Sequence, residues 1–171
     1  RHSGSTAIAI AMEIGMTNVS GHRFWPNAPG VMASMIREYP WAETALGPIP
    51  TWPSRLTWAV ETMLSSAIPT WIWWGPQLID MHNDAALALS LLTPPGALGQ
   101  PAAEAWSALW PEIEPLVARA LETGEPVLVQ DLQLELARDG HHEETTWAFS
   151  VGVLQNDDGA IAGIQAMGIE T

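Results

Sequence analysis

The 171-residue chain has no cysteine and no lysine, one tyrosine, two phenylalanines and only six positively charged side chains, all arginine. Without cysteine there is no disulfide, no thiolate nucleophile, no cysteine-ligated zinc and no adduct-forming flavin. Nineteen acidic residues leave a net charge of -13, which repels phosphate backbones and anionic lipid and provides no basic patch for nucleic acid. No apolar run approaches the roughly 20 residues that span a bilayer, so this segment is read as making no membrane contact. Apolar residues at 47% with charged residues at only 15% exclude a disordered chain and fit one well-buried domain with an extension.

Tryptophan is abundant instead, with ten copies. Each combines a large apolar body with one N–H donor, so the set can fill a core or line a pocket for a flat small molecule. Arg1 to Ser5 reads as a cloning remnant, and Pro26 to Gly30 punctuates the chain strongly. Three segments are therefore expected: 1–30 a tag remnant and flexible extension, 31–68 leading helices, and 69–171 the core domain.

Val31, Met32, Met35, Ile36 and Tyr39 recur at helical spacing until Pro40. A second helix is expected beyond Pro53, capped by Thr51 or Trp52, with Leu56, Val60, Met63 and Leu64 on one face. Thr70 to Trp74 and Leu78 to His82 read as two strands around Gly75-Pro76. Asn83 or Asp84 can cap a helix over Ala85 to Leu92, and a helical turn is expected around Pro101 to Ser107. Ile113, Leu116, Val117, Ala120 and Leu121 mark a longer helix closed by Gly124. The period then changes to two. Leu128, Leu132, Leu134 and Leu136 alternate with Val129, Asp131, Gln133 and Glu135, Gln130 being the polar exception, and Trp147, Phe149, Val151 and Val153 alternate likewise. Asn156 to Gly159 is a turn into a last strand, Ile161 to Ile169. The expected fold class is α+β: a five-stranded antiparallel sheet with short helices over one face and an N-terminal helical extension.

The sequence also resembles a known family. The matching residues are Trp41, Thr44, Leu46-Gly47-Pro48, Trp52-Pro53-Ser54, Trp73-Trp74-Gly75-Pro76, Asn83-Asp84-Ala85 and Ala97-Leu98-Gly99 in the first half. Trp106, Trp110-Pro111-Glu112-Ile113, Thr123-Gly124-Glu125, Asp131-Leu132, Arg138-Asp139-Gly140, Glu143-Glu144-Thr145, Phe149-Ser150 and Asp157-Asp158-Gly159 continue it. In that order, from Trp41 to Thr171, they are similar to the PAS domains that precede kinase modules in bacterial sensor histidine kinases. The resemblance implies a PAS fold and a cytoplasmic sensory or regulatory module of a two-component signalling protein, itself non-catalytic and homodimeric. It further implies a downstream kinase or other effector in the same chain, with the signal leaving through Ile169, Glu170 and Thr171. Where relatives carry Tyr-Asn-Asp-Ala-Tyr this chain has His82-Asn83-Asp84-Ala85-Ala86, so bulky side chains have become small. Haem-binding PAS domains take their iron ligand from the long helix, and Glu112 to Thr123 holds no histidine, which argues against haem.

The expected ligand-pocket residues are Trp71, Trp73, His82, Asn83, Trp106, Trp110, Trp147 and Phe149. Trp106 and Trp110, four apart, share a face if their turn is continuous. His82 can contact a ligand or be satisfied structurally. His141-His142-Glu143-Glu144 concentrates metal-capable groups, but adjacent strand residues point to opposite faces and a solvated hairpin explains them too. No metal ligand set is assigned. Met32, Met35, Ile36 and Tyr39 form an apolar stripe suited to a two-fold helical interface. Three functional readings follow: a sensory PAS domain holding a small ligand, a ligand-free interaction module, and a metal-dependent hydrolase using His82, His141 and His142.

Overall fold

The structure, a computed structural model, describes residues 25–89, 93–138 and 140–171. Helix α1 (Val31–Glu38) and two 3-10 turns (Trp41–Glu43 and Ile49–Thr51) lead to α2 (Ser54–Leu64). Strands β1 (Thr70–Trp74) and β2 (Ile79–His82) precede α3 (Asp84–Ala88), α4 (Ala102–Ala105) and α5 (Trp110–Thr123). Strands β3 (Val127–Arg138), β4 (His141–Gln155) and β5 (Ile161–Glu170) complete one antiparallel sheet in the order β2-β1-β5-β4-β3. Helix α3 ends at Ala88, short of the expected Leu92, and residues 90–92 lie outside the described ones.

Alternation through the sheet separates two cores. Trp71 and Trp73 face α3, α4 and α5 together with Trp147, Val151 and Ile164. Ile72, Trp74, Ile79 and Met81 face the other way, against α1 and α2. The leading helices therefore belong to the fold. Met32 and Ile36 are wholly buried within their own chain, which corrects their assignment to a helical dimer interface. Each contributes about 1.5–3 kcal/mol through burial, so withdrawing them for a partner is unfavourable. Met35 stays 41% exposed and Tyr39 is half-buried.

The core domain supplies the caps of both leading helices. An Asp84 carboxylate oxygen accepts from the Met32 amide at 2.8 Å. Gly30, at φ 106°, precedes that helix where an added Cβ would fall 1.8 Å from the Asp84 Oδ2, so only glycine fits. For α2, Pro53 takes the cap position expected for Thr51 or Trp52 and offers no side-chain acceptor. Asp157, in the β4–β5 turn, replaces it: its carboxylate accepts from the Ser54 amide at 3.2 Å, the Ser54 hydroxyl at 3.0 Å and the Arg55 amide at 2.9 Å. Those hydrogen bonds, the Arg55 amide first, hold the Asp157 carboxyl below its ordinary value. Asn83 is the cap of α3, accepting from the Ala86 amide at 3.0 Å.

Two expectations need correction. Ordered structure starts earlier than Val31, because Trp25 donates from Nε1 to Glu61 at 2.6 Å and meets the Trp52 ring edge-on at 5.8 Å. The suggested remnant Arg1 to Ser5 lies outside the described residues. Leu128 does not share a face with Leu132, Leu134 and Leu136. A bulge places three steps of β3, Val129 to Leu132, opposite two of β4, Phe149 to Trp147, with Asp131 at φ 58°. Val127 and Val129 therefore pack inward while Leu128 is 67% exposed.

Candidate functional site

The site is the inner sheet face beneath α4 and α5. Each inward tryptophan of the sheet has its N–H directed to an oxygen. Trp71 donates to Thr93 Oγ1 at 3.1 Å, and that hydroxyl donates to the Ala86 carbonyl at 2.7 Å. Trp147 donates to Thr145 Oγ1 at 2.8 Å, and Thr145 donates to the Leu134 carbonyl at 3.0 Å. Trp73 donates to Asp80 Oδ1 at 2.9 Å. These bonds orient the indoles, and those of Trp71 and Trp73 form walls of the site.

Trp106 and Trp110 close over Trp73, with centroid separations of 5.3 and 6.0 Å. They do so without a continuous turn, because α4 stops at Ala105 and α5 starts at Trp110. Between these rings and the sheet lies a cavity of about 40 Å³, almost wholly apolar, reached by Trp71, Trp73, Trp106 and Phe149. Leu109, Ile113 and Leu116 form its roof. Of the expected pocket residues, Trp110 and Trp147 stand behind the wall, Trp147 stacking on Phe149 at 5.7 Å.

His82 and Asn83 are not pocket residues. His82 Nδ1 lies 2.6 Å from Asp80 Oδ2. Asn83 Oδ1 accepts from the Thr70 and Ala86 amides, while Nδ2 faces the carbonyls of Met63, Ser66 and Ile68 at 3.1, 3.2 and 2.8 Å. That side chain ties α2, β1 and α3 together and has no group left for a ligand. Asp80, which sequence reasoning missed, is the centre of the polar network. Its signal was the two-residue spacing to His82, which places both on the tryptophan face.

The cavity excludes large cofactors. Ligand sites usually offer roughly 300–1,000 Å³ and a few convergent polar groups. At about 40 Å³ and with an almost wholly apolar lining, this one fits neither a flavin ring system nor haem. A water of ~30 Å³ would have no hydrogen-bond partner there.

The three histidines proposed for a hydrolase do not converge. His82 is level with Val151 through Trp71 and Ala166, whereas His142 is nine residues further along β4, or roughly 30 Å at strand rise. His142 sits instead beside Glu135 at 3.3 Å on an exposed hairpin. Among the described residues no group of three or more His, Asp or Glu side chains could hold a metal ion. The hydrolase reading ends there.

At the expected exit, Ile169 is exposed on the outer face and Glu170 pairs with Trp147. Thr171 remains bound to β4, its amide donating to the Thr146 carbonyl at 2.9 Å.

No protein-family model and no curated protein matches the chain. Solved structures do. The PAS domain of Bordetella pertussis BvgS is similar at TM-score 0.53 and 19% identity, over 69% of this chain and 87% of that one. A Rhodobacter sphaeroides LOV protein aligns at TM-score 0.51 and 13% identity, over 68% of this chain and 66% of that one. A phage VqmA–DPO complex aligns at TM-score 0.53 and 16% identity, over 68% of this chain and 53% of that one. With its five-stranded antiparallel sheet, helical layer and tryptophan-walled inner face, the chain has the PAS fold.

Proposed function

We propose that this PAS domain is a non-catalytic sensory or regulatory module of a bacterial signalling protein of the histidine-kinase type, acting through protein contacts rather than a resident cofactor. The observation that carries this reading is the filled inner face: a cavity of about 40 Å³ over sheet tryptophans whose N–H groups are directed to oxygens of the chain. A change in how α4 and α5 pack on the sheet then passes along β5 to Ile169, Glu170 and Thr171 and into an effector in the same chain. Among the described residues no helix is long and apolar enough to cross a membrane, which is compatible with a cytoplasmic location. If the module dimerises through α1, the contact falls on the exposed Val31 and Met35 rather than on Met32 and Ile36.

Native mass spectrometry under gentle and denaturing conditions tests the reading. The expected result is the bare chain mass in both, as monomer or dimer. A small molecule retained only under gentle conditions would overturn the ligand-free form.

One feature favours a second reading, in which a small apolar molecule enters by lifting α5. That helix carries Pro115 in its interior, which removes one bond from its backbone ladder, and its Ile113 and Leu116 meet the cavity through apolar packing alone.

A further inference from the structure

We infer that Asp80, His82 and Trp73 form a proton-operated element that sets how Trp73 holds the helical layer. Strand alternation brings the three together: Trp73 is directly opposite Asp80, and His82 follows two residues on, opposite Trp71. Asp80 is 0% exposed and His82 2%. One carboxylate oxygen accepts from Trp73 Nε1 at 2.9 Å and the other faces His82 Nδ1 at 2.6 Å. The Asp80 backbone is held at the sheet edge as well: its amide donates to the Gln100 carbonyl and its carbonyl accepts from the Gly99 amide, each at 2.9 Å.

Charge makes this element responsive. With one shared proton the Asp80–His82 pair is neutral overall; without it, a net negative charge is left among indoles and alanines. The elements packed on this face present Trp71 and Trp73 from β1, Ala86 from α3, Ala97, Ala102 from α4 and Trp106, and Asp80 and His82 are the only titratable groups among the buried residues described. Burial pushes the Asp80 carboxyl above its ordinary value, while the His82 hydrogen bond and charge, and then the Trp73 hydrogen bond, draw it back. The sign follows: the folded state retains the proton more strongly, so the contribution to stability is present at low pH and is lost as pH rises through the folded value.

The proton is also read by the aromatic layer. Trp73 donates to the other oxygen of the same carboxylate that faces His82, and its ring packs against both Trp106 and Trp110. Loss of the proton alters the Trp73 anchor and with it the seating of the segments that begin α5. This holds whether or not the cavity takes a ligand, since neither Asp80 nor His82 lines it.

The test is a pH titration of the whole domain from pH 5 to 9 by tryptophan emission and by indole and imidazole NMR, with Trp73→Phe identifying the Trp73 signal. The expected result is that the Trp73 indole N–H and the His82 imidazole shift together. The step should be lost in His82→Gln and kept in His142→Gln. A Trp73 signal that does not move over this range, or a step that survives His82→Gln, would overturn the proposal. If His82→Gln does not fold, co-titration in the unmodified protein decides it: separate midpoints for the indole and imidazole reject the coupling.

Discussion

The ring of Phe149 lies over Gly168, its cross-strand partner, so closely that a Cβ there would sit 2.2 Å from the ring edge. Phe149 reaches the inner cavity and Gly168 is the residue before the expected exit segment. Cavity wall and β5 terminus are therefore in direct contact. Gly168→Ala must push the ring toward the cavity. The expected cost is about 1–3 kcal/mol from overpacking, measured by urea denaturation, together with a changed near-ultraviolet dichroism from the Trp147–Phe149 stack.

Asn83→Ala should be among the most damaging single changes. It leaves the Thr70 and Ala86 amides without their acceptor and the Met63, Ser66 and Ile68 carbonyls without their donor. With each unsatisfied buried group costing about 1–3 kcal/mol, a loss of at least ~3 kcal/mol is expected, or on the order of 10 °C in Tm by calorimetry. A ligand-contact role would predict near-normal stability instead.

Asp157 links stability to acid. Its folded value is depressed by the α2 amides, so its contribution is full above the ordinary carboxyl value, roughly pH 4, and is lost as pH falls through the folded value. Asp157→Asn should lower Tm at pH 7 and flatten the decline in Tm as pH falls below about 4. Thermal scans at pH 7 and along the acid limb check it, and an unchanged acid limb would count against the clamp.

The stripe on α1 divides by burial. Met32→Ala or Ile36→Ala should cost about 2–5 kcal/mol, whereas Met35→Ala should stay within about 0.5 kcal/mol. Sedimentation equilibrium of Met35→Glu distinguishes the remaining dimer surface: unchanged association would remove α1 from consideration.

Much of the fold was legible because its periods are strong. The 3.6-residue stripe ending at Gly124 and the alternation of Trp147, Phe149, Val151 and Val153 each have one solution. The β3 phase was misread because one inserted residue reverses every side chain after it, and Gln130 was the trace left in the sequence. The caps of α1 and α2 were not legible, since their acceptors lie far along the chain at Asp84 and Asp157 and leave no local pattern. Within the site, the two-residue spacing of the β1 tryptophans puts Trp71 and Trp73 on the face that lines the cavity. The roof of leucines and isoleucine carries no distinguishing chemistry, and Asn83 looked like a pocket group because an amide serves a cap and a ligand equally well.

The caps that Asp84 and Asp157 place on α1 and α2 also bear on where this domain can be cut. A chain started at Pro69 would leave Ile72, Trp74, Ile79 and Met81 facing water, and both aspartates would lose the amides they serve. The helices before the sheet and the sheet itself should accordingly melt in a single cooperative transition, with the leading segment acting as half of the folding unit rather than as a tether to it.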